Sequence, residues 1–366
     1  MKHYNGISDA ELRTRPKIDE VDVKILKALL NDARTSFAEI AKDCGMSSNA
    51  IRMRFKRLKK DGVIKGAITQ VNPKSFGYDC IALLNIQVDV NEETSVYDFV
   101  NKIPDIMKSF QPIGKYSINS FVALKNIDEL AHTIEQISNH QYVLDIKECI
   151  WVDLVRVDHP ENLVIESFDG FLHTTELLSK NVTPKTTITP PHVDEVAKEN
   201  RLEESHELDK IDLSIINILS ENASMSFRKI AKQIGISTQS VIKRYKRMRK
   251  TVLPFSSITL DLRKLGYIGT AVFHIKTSPQ HTISEVFNEL LRVPNVIVAV
   301  KCLGAIDIFI AATFSNFKQL LKLKKGITKT PGVKQIEVFI DKPFPSWPLN
   351  LFARFFHNKT KPFENA

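Results

Sequence analysis

Apolar residues recur every three or four positions along residues 19–60, and this spacing predicts three helices in succession. The second helix is predicted to end at Gly45, and Ser47 or Ser48 can cap the third. Apolar and polar residues then alternate over residues 63–71, which predicts a strand. Three helices, with a glycine turn between the last two and a β-ribbon after them, are typical of a winged helix-turn-helix.

This pattern is repeated 190 residues later in the chain. Residues 209–250 align with residues 19–60 without a gap, and 16 of 42 positions are identical. The period is too long for a solenoid unit of about 20–50 residues, so a whole domain is duplicated. After the second copy, the turn Asp61-Gly62 is replaced by a segment with Pro254, which cannot donate a sheet hydrogen bond. We therefore predict that the second wing is altered or shortened.

A second predicted domain follows each three-helix domain. Residues 81–155 are predicted to form strand, helix, strand, strand, helix and strand, and the same order recurs over residues 268–340. This order predicts a four-stranded antiparallel sheet with both helices on one face, the ferredoxin-like plan. The other face needs an apolar partner, so we expect two such sheets to pair, within the chain or between chains. The apolar run 296–314 contains Lys301 and Asp307, and it fits two buried strands better than a membrane span.

Composition shifts divide the chain further. The Pro- and Thr-rich residues 181–191 and the acidic residues after them indicate a linker, whereas residues 162–178 are apolar enough that we expect them to pack. The aromatic tail with Trp347 is also expected to dock. The fold class is α+β, and the predicted segments are winged helix-turn-helix 1 (17–72), ferredoxin-like domain 1 (78–157), a partly packed acidic linker (158–206), winged helix-turn-helix 2 with an altered wing (207–262), ferredoxin-like domain 2 (266–342) and a C-terminal tail (343–366).

Positive charge is concentrated at one place in each repeat. The net charge is +9, yet residues 47–65 hold seven basic residues against one acidic residue, and residues 237–250 hold six basic residues and no acidic one. Residues 158–207, by contrast, hold eleven acidic residues against four basic ones. Such a distribution is expected of a surface that binds a polyanion.

The third helix of each repeat is the candidate DNA-binding element. A helix in a major groove needs short polar residues near its N-terminus to reach base edges, with Arg and Lys beyond them to hold phosphates. Arg54, Arg57 and their counterparts in the second copy are assigned to phosphate contact or to bracing of the head. The alternative is a basic face that is only solvated. The predicted DNA-binding residues are Ser48, Asn49, Arg52, Met53, Arg54, Lys56 and Arg57, and Thr238, Gln239, Lys243, Arg244, Lys246 and Arg247.

Three stretches resemble the Lrp/AsnC (feast/famine) family of transcription regulators: residues 18–26 (IDEVDVKIL), residues 34–66 and residues 72–78 (NPKSFGY). The unit that follows resembles that family's regulatory RAM domain, so the resemblance covers nearly the whole chain apart from the linker and the two tails. Members usually carry one copy, whereas this chain carries two in tandem. The resemblance implies RAM–RAM pairing, binding of double-stranded DNA by the winged heads and, often, an amino-acid effector at RAM interfaces.

The loop between the second and third strands of the second RAM-like unit is the candidate effector site. The family often has Gly-x-x-Asp there, and Gly304 and Asp307 match it, whereas the first copy has Gly114 to Ser117 without a carboxylate. A carboxylate beside a glycine loop could accept hydrogen bonds from the ammonium group of an amino acid. The alternative is that Asp307 only caps the turn.

Other protein classes find less support in the sequence. The chain has no Gly-rich phosphate loop, HExxH or GxSxG motif, and its four scattered cysteines indicate neither a disulfide framework nor a zinc site. We therefore predict a cytoplasmic regulator that is not an enzyme and has no cofactor. The sirohaem decarboxylases resemble Lrp/AsnC proteins and also occur as two-unit pairs, and His274 is the residue that could be proposed for such chemistry. That enzyme, or an effector-sensing protein without DNA contact, is the alternative.

Overall fold

The two halves of the chain carry the same elements in the same order. The computed structural model describes residues 16–152, 163 and 208–351, so most of the predicted linker 158–206 and the tail beyond residue 351 lie outside the described residues. The first half contains α1 (Glu20–Asn31), α2 (Phe37–Cys44), α3 (Ser48–Lys60), β1 (Ile64–Thr69), β2 (Cys80–Val88), α4 (Glu93–Val100), β3 (Ile106–Phe110), β4 (Ile118–Leu124), α5 (Ile127–Ser138) and β5 (Val143–Trp151).

The second half confirms the predicted α+β class, with a helix-turn-helix and then a βαββαβ unit in each half. Its elements are α6 (Lys210–Glu221), α7 (Phe227–Ile234), α8 (Thr238–Met248), β6 (Ser256–Leu260), β7 (Gly269–Thr277), α9 (Ile283–Leu290), β8 (Val296–Gly304), β9 (Ile308–Phe314), α10 (Phe317–Lys329) and β10 (Val333–Asp341). The apolar run 296–314 thus forms two strands, as expected. Among the described residues, no helix has the length and apolar character needed to cross a membrane.

The helical heads form because their helices are capped and have one apolar side. Asp19 and Asp22 exchange side-chain-to-backbone hydrogen bonds at the start of α1, and the Ser47 hydroxyl caps α3. Gly45 ends α2 in the left-handed conformation, with a φ of 63°. The apolar sides meet in a core where Ile25 is fully buried, and burial of one such side chain contributes about 1.5–3 kcal/mol.

The strand after each head pairs with its counterpart from the other half, so the two heads share one β-ribbon. β1 and β6 are antiparallel, with Ala67 opposite Ile258 and Ile68 opposite Ser257. This differs from the separate wing predicted for each head, because packing of the whole chain selects a strand's partner and local sequence does not. Pro254 precedes β6 and leaves it intact, and β6 has five residues where β1 has six.

Each head also packs against the strand of the opposite half. α1 contacts β6, and the Ala33 N–H donates to the Ser256 carbonyl at 3.2 Å. In the same way, α6 contacts β1, and the Ala223 N–H donates to the Ala67 carbonyl at 2.9 Å. The two heads are therefore held to each other through the ribbon.

The two four-stranded sheets join edge to edge within the chain. The resulting order is β10-β7-β9-β8-β5-β2-β4-β3, which keeps the ferredoxin-like order in each half. β5 and β8 form the first joint, where Cys149 lies opposite Gly304. At the other end, Ile113 follows β3 and forms a bridge with Ile340 of β10. The eight strands consequently close into a ring with one face inside.

The closed sheet has separate outer and inner cores. Helices cover the outer faces, where Leu84 is buried in the first half and Phe273 in the second. The inner faces pack against each other through Phe121 and Phe309, whose ring centroids are 6.2 Å apart in an edge-to-face arrangement. Pairing within the chain thus covers the sheet face for which a partner was expected.

The segment after β10, residues 343–351, crosses the inner core and is named here the C-terminal strap. Trp347 is buried, and its backbone exchanges two hydrogen bonds with Leu260 of β6, at 2.7 and 2.8 Å. Leu163, the one described residue of the linker, is buried in the same core. The contacts of the strap agree with the docking expected for the aromatic tail, whereas residues 164–178 of the apolar linker segment lie outside the described residues.

Replacing Gly304 by alanine is expected to destabilise the protein by about 2 kcal/mol. Gly304 has a φ of 109°, and an added Cβ would lie 2.8 Å from the Glu148 carbonyl oxygen across the β5–β8 joint. Urea unfolding of the full chain measures the loss. Gly326→Ala is the matched control, because Gly326 lies inside α10 with open space around the added Cβ, and this change should stabilise by about 0.5–1 kcal/mol. Equal stability of the two variants would contradict the expectation.

Candidate DNA-binding surface

The third helix of the first head presents polar and basic side chains to solvent. Ile51 and Leu58 are buried, and Phe55 packs on Phe37 with 5.3 Å between ring centroids. Because these contacts anchor one side of α3, its opposite side is exposed. That side carries Asn49, Arg52, Met53 and Lys56, with Ser48 half-buried at the start of the helix.

The second head repeats this arrangement with a different pattern of side chains. Val241 and Met248 of α8 are buried, and Tyr245 packs on Phe227 with 4.9 Å between ring centroids. A half-buried Ile242 takes the place of Arg52. The side of α8 turned away from the head carries Thr238, Gln239, Lys243 and Lys246, so the two cations predicted for base or phosphate contact are placed differently from Arg52 and Lys56 of α3.

Two arginines of α3 point toward α1 instead. Arg54 Nη1 donates to the carboxylates of Asp19 at 2.5 Å and Asp22 at 3.0 Å, and Arg57 donates to the other oxygen of Asp22. Asp22 is fully buried, so its charge needs these partners. The network ties the candidate recognition helix to the first helix of the head.

The same network is present in the second head. Arg244 Nη1 lies 2.7 Å from Asp209 and 2.9 Å from Asp212, and Arg247 donates to Asp212. The geometry therefore matches bracing, one of the two roles predicted for these arginines, and phosphate contact by their other N–H groups stays a prediction. A sequence signal for bracing existed, because both aspartates and both arginines are among the identical positions of the repeat.

The cap carboxylates of these networks make the heads sensitive to acid. Burial opposes ionisation of Asp19, but Arg54 and the backbone of α1 hold the pKa of its carboxyl below its ordinary value. In Asp209, the backbone N–H of Asp212 has the largest effect and lowers the carboxyl pKa, burial opposes it, and Arg244 lowers the pKa further.

A carboxyl with a lowered folded-state pKa contributes stability that is complete above its unfolded value and is lost as the pH falls through the folded value. We expect the unfolding free energy to fall as the pH drops below about 4. In the double variant Asp19→Asn with Asp209→Asn, the unfolding free energy should fall less steeply as the pH drops. Urea titrations at several pH values test this, and an unchanged slope in the double variant would contradict it.

One side chain of the first head inserts into the second head. The Arg34 guanidinium lies 4.1 Å from the ring centroid of Phe227 and 5.1 Å from that of Tyr245, and its Nη2 donates to the Met225 carbonyl at 2.8 Å. At the equivalent position the second head has Ser224, so the contact is one-sided. In the sequence, the sign of this contact is that the two copies differ at this position, with Arg34 in the first copy and Ser224 in the second.

Arg34→Ala is expected to destabilise the paired heads by about 1–2 kcal/mol. The variant removes a partly desolvated cation–π contact and a hydrogen bond between heads. Thermal and urea unfolding measure the effect. Ser224→Ala changes the equivalent residue of the other head and should stay within about 0.5 kcal/mol of the unmodified protein. A similar loss of stability in both variants would mean that the one-sided Arg34 contact does not contribute more to stability than the equivalent residue of the second head.

The predicted effector residues lie at the joint of the two sheets. One oxygen of Asp307 accepts from Lys276 Nζ at 2.9 Å, and the other accepts from the Thr277 N–H at 2.7 Å and hydroxyl at 3.0 Å. Lys276 Nζ also donates to the Gly304 carbonyl at 3.0 Å. These bonds match the turn-capping alternative, and effector contact at this loop stays a prediction.

His274 lies on the inner face of the sheet between two aromatic rings. Its imidazole centroid is 4.5 Å from that of Phe339 and 5.9 Å from that of Phe309. Burial lowers the pKa of His274 to about 4, so the ring is neutral at pH 7. This environment fits the structural role that a single strand histidine usually has.

Comparison with known proteins places both heads in one family. The AsnC-type helix-turn-helix domain matches residues 18–59 and again residues 208–249. The HTH-type transcriptional regulator Ptr1 of Methanocaldococcus jannaschii is 32% identical over 113 residues, which cover 31% of this chain and 76% of that regulator. Regulatory protein AsnC of Escherichia coli (strain K12) is 34% identical over 118 residues, which cover 32% of this chain and 78% of AsnC.

The chain belongs to the Lrp/AsnC family of transcriptional regulators. Each of those relatives matches about one third of this chain, and the family domain occurs in it twice, so this member has a tandem two-copy arrangement. Its family match covers the two candidate recognition helices α3 and α8.

A solved structure resembles this family member over almost its whole length. The sirohaem decarboxylase NirDL superimposes with a TM-score of 0.57, covering 92% of this chain and 96% of NirDL, at 16% sequence identity. At that identity the likeness shows the fold alone. It shows that the paired arrangement of two such halves also occurs in a solved structure.

Proposed function

We propose that this Lrp/AsnC chain regulates transcription by binding double-stranded DNA with both heads, so that one chain takes the place of a dimer. The observation that carries the proposal is the pair of exposed polar helices, α3 and α8, that one shared ribbon joins. Basic side chains would hold phosphates, whereas the amides of Asn49 and Gln239 suit paired hydrogen bonds to adenine. A protein with this role acts in the cytoplasm, beside the DNA.

The differences between the heads support an asymmetric target. Asn49 corresponds to Gln239, Arg52 to Ile242 and Met53 to Lys243, so the two surfaces cannot make the same base contacts. Because half-site symmetry in DNA mirrors symmetry in the protein, two unequal half-sites are expected.

Binding to genomic fragments tests the proposal. Purified full-length protein should shift a subset of fragments, with affinity that falls steeply between 50 and 200 mM salt, where about one decade is lost per roughly two phosphate contacts. A nuclease footprint on those fragments should contain two dissimilar half-sites. Absence of any shift at the lower salt concentration would refute DNA binding.

A sirohaem decarboxylase-like activity is the second candidate, because the fold match to NirDL spans nearly the whole chain. Three features favour the regulator instead. Both candidate recognition helices keep exposed cations, and His274 is neutral and enclosed by phenylalanine rings. The inner cavity formed by the described residues is ≈ 70 Å³, against about 300–1,000 Å³ for the pockets of larger ligands. An iron tetrapyrrole added to the protein should therefore show no shifted absorbance band, and a shifted, saturable band would support the enzyme.

A further inference from the structure

The side chains that join the two heads differ between the two sides of the joint. On one side, Arg34 of the first head lies over the rings of Phe227 and Tyr245 of the second head. On the other side, Ser224 takes the place of Arg34, and its hydroxyl donates to the Asn222 side chain of the same turn at 3.2 Å. The two heads are copies of one domain, but the joint between them is not symmetric.

A second contact supports the side of the joint that holds Arg34. The Ser256 hydroxyl, at the start of β6, donates to one oxygen of the Asp32 carboxylate at 2.6 Å, and the same oxygen accepts the Arg34 N–H at 2.9 Å. Ser256 is fully buried, and a hydrogen bond away from water is electrostatically stronger than an exposed one. Ala67 of β1 holds the equivalent place on the other side, and its methyl group cannot donate a hydrogen bond. Asp32 and Ser256 therefore fix the turn that carries Arg34.

Arg34 contacts three parts of the second head at once. Its guanidinium carbon lies 5.1 Å from the ring centroid of Tyr245, which belongs to the candidate recognition helix α8. The same group lies 4.1 Å from the centroid of Phe227 at the start of α7, and its Nη2 donates to the Met225 carbonyl before that helix at 2.8 Å. A planar guanidinium can stack on a ring and donate in its own plane, which an ammonium group cannot do. The position of α8 relative to the first head is therefore tied to one side chain.

The shared ribbon provides only part of the support between the heads. β1 and β6 form a two-stranded sheet, and such ribbons twist more strongly than larger sheets and are marginally stable alone. Contacts beside the ribbon therefore contribute to the separation and the angle of the two candidate recognition helices. In a protein with two helix-turn-helix heads, that separation determines the spacing of the half-sites on DNA.

We propose that Arg34 is a positioning residue that fixes the second recognition helix relative to the first and so determines which half-site spacing the chain accepts. The spacing role rests on the proposed function, whereas the fixed position of the heads does not. Arg34 lies in the turn between α1 and α2, away from the outward faces of α3 and α8. The specificity that it provides is therefore for spacing and not for base sequence.

Distances between the heads test the fixed position without DNA. Nitroxide labels at Asp43→Cys and Gln233→Cys occupy equivalent exposed positions of α2 and α7, in a full-length chain that also carries Cys44→Ser. The other three cysteines are buried. Double electron–electron resonance should give one narrow distance distribution, and Arg34→Ala should broaden it at least about twofold, because more arrangements of the heads become populated. An unchanged distribution in Arg34→Ala would overturn the proposal.

Operator variants test the spacing role. Two base pairs inserted between the half-sites of a footprinted fragment move one half-site by about 7 Å and turn it by about 70° around the DNA axis. The insertion should weaken binding of the unmodified protein about 30-fold and binding of Arg34→Ala about fivefold or less, because looser heads populate the altered separation. A general loss of stability would lower both affinities by the same factor and leave their ratio unchanged. The ratio of the unmodified protein, found again in Arg34→Ala, would therefore contradict the spacing role.

Matched variants assign the effect to this side of the joint. Arg34→Lys keeps the charge but not the planar group, so its distance distribution and affinity ratio should lie between those of Arg34→Ala and the unmodified protein. Ser256→Ala reproduces the residue of the other side and should broaden the distances less than Arg34→Ala. Ser224→Ala is the control and should leave distances and affinity ratio unchanged. Changes in Ser224→Ala equal to those in Arg34→Ala would overturn the assignment.

The two measurements separate this inference from the proposed function. If the unmodified protein shifts no DNA fragment, the proposed function fails and the spacing role fails with it, while the label distances still decide whether Arg34 fixes the heads. If DNA binds but Arg34→Ala changes neither the distances nor the affinity ratio, this inference alone fails.

Discussion

Arg52→Ala combined with Lys56→Ala is expected to reduce the affinity for a target DNA fragment about 100-fold at 150 mM salt. Both side chains lie on the exposed face of α3, and neither takes part in the arginine–aspartate network. Loss of one base contact costs about 1–3 kcal/mol, and loss of a phosphate contact weakens binding to all sequences. The slope of log affinity against log salt should also decrease by about one to two. Gel-shift titrations at three salt concentrations measure both quantities.

Two further double variants make this experiment specific. Lys322→Ala with Lys325→Ala removes the same charge from exposed positions of α10, on the outer face of the second sheet, and should leave affinity within about twofold. Lys243→Ala with Lys246→Ala tests the second head, and a loss there of at least tenfold is expected if both heads bind. Wild-type affinity in the Arg52/Lys56 variant would refute the role given to α3.

Asp22→Ala is expected to destabilise the first head by about 2–3 kcal/mol. It removes a fully buried carboxylate that accepts hydrogen bonds from Arg54, Arg57 and the Asp19 N–H. Breaking a buried ion pair commonly costs about 3–5 kcal/mol. Here the cost should be smaller, because the side chains of Arg54 and Arg57 are 27% and 44% exposed and can regain water. Urea unfolding gives the value.

A control and a companion variant accompany this measurement. Asp43→Ala changes an exposed aspartate of the same head and should stay within about 0.5 kcal/mol. Asp212→Ala removes the equivalent carboxylate of the second head and should cost a similar amount. If Asp22→Ala were no more destabilising than Asp43→Ala, the network would not be what holds α3 on α1.

Sequence periodicity was sufficient for the elements and for the outward side of each recognition helix. The order strand, helix, strand, strand, helix and strand that the sequence predicts for residues 81–155 matches β2, α4, β3, β4, α5 and β5. The reason is local, because an apolar side chain every 3.6 or two residues specifies which face of an element is buried. Asn49, Arg52 and Lys56 fall on the exposed side for the same reason.

The pairing of strands that are far apart in the chain could not be predicted from sequence periodicity. The pairing of β1 with β6 joins segments that are about 190 residues apart, and no local pattern favours this partner over a hairpin. A run of basic residues likewise does not reveal which arginines reach a buried carboxylate on another helix, as Arg57 reaches Asp22. The cavity and the strap depend on the closure of eight strands, which is a property of the complete fold.

The shared ribbon and the joined sheets change how this regulator responds to its own abundance. A dimer that dissociates on dilution occupies its target in proportion to the square of the subunit concentration, whereas two heads on one polypeptide remain at a fixed, high effective concentration of each other. Occupancy of an operator should thus rise with the first power of the amount of protein. Because the two heads pair within one chain, this pairing does not allow subunits of two different regulators to exchange. For the same reason, it does not allow a defective subunit to inactivate a functional one.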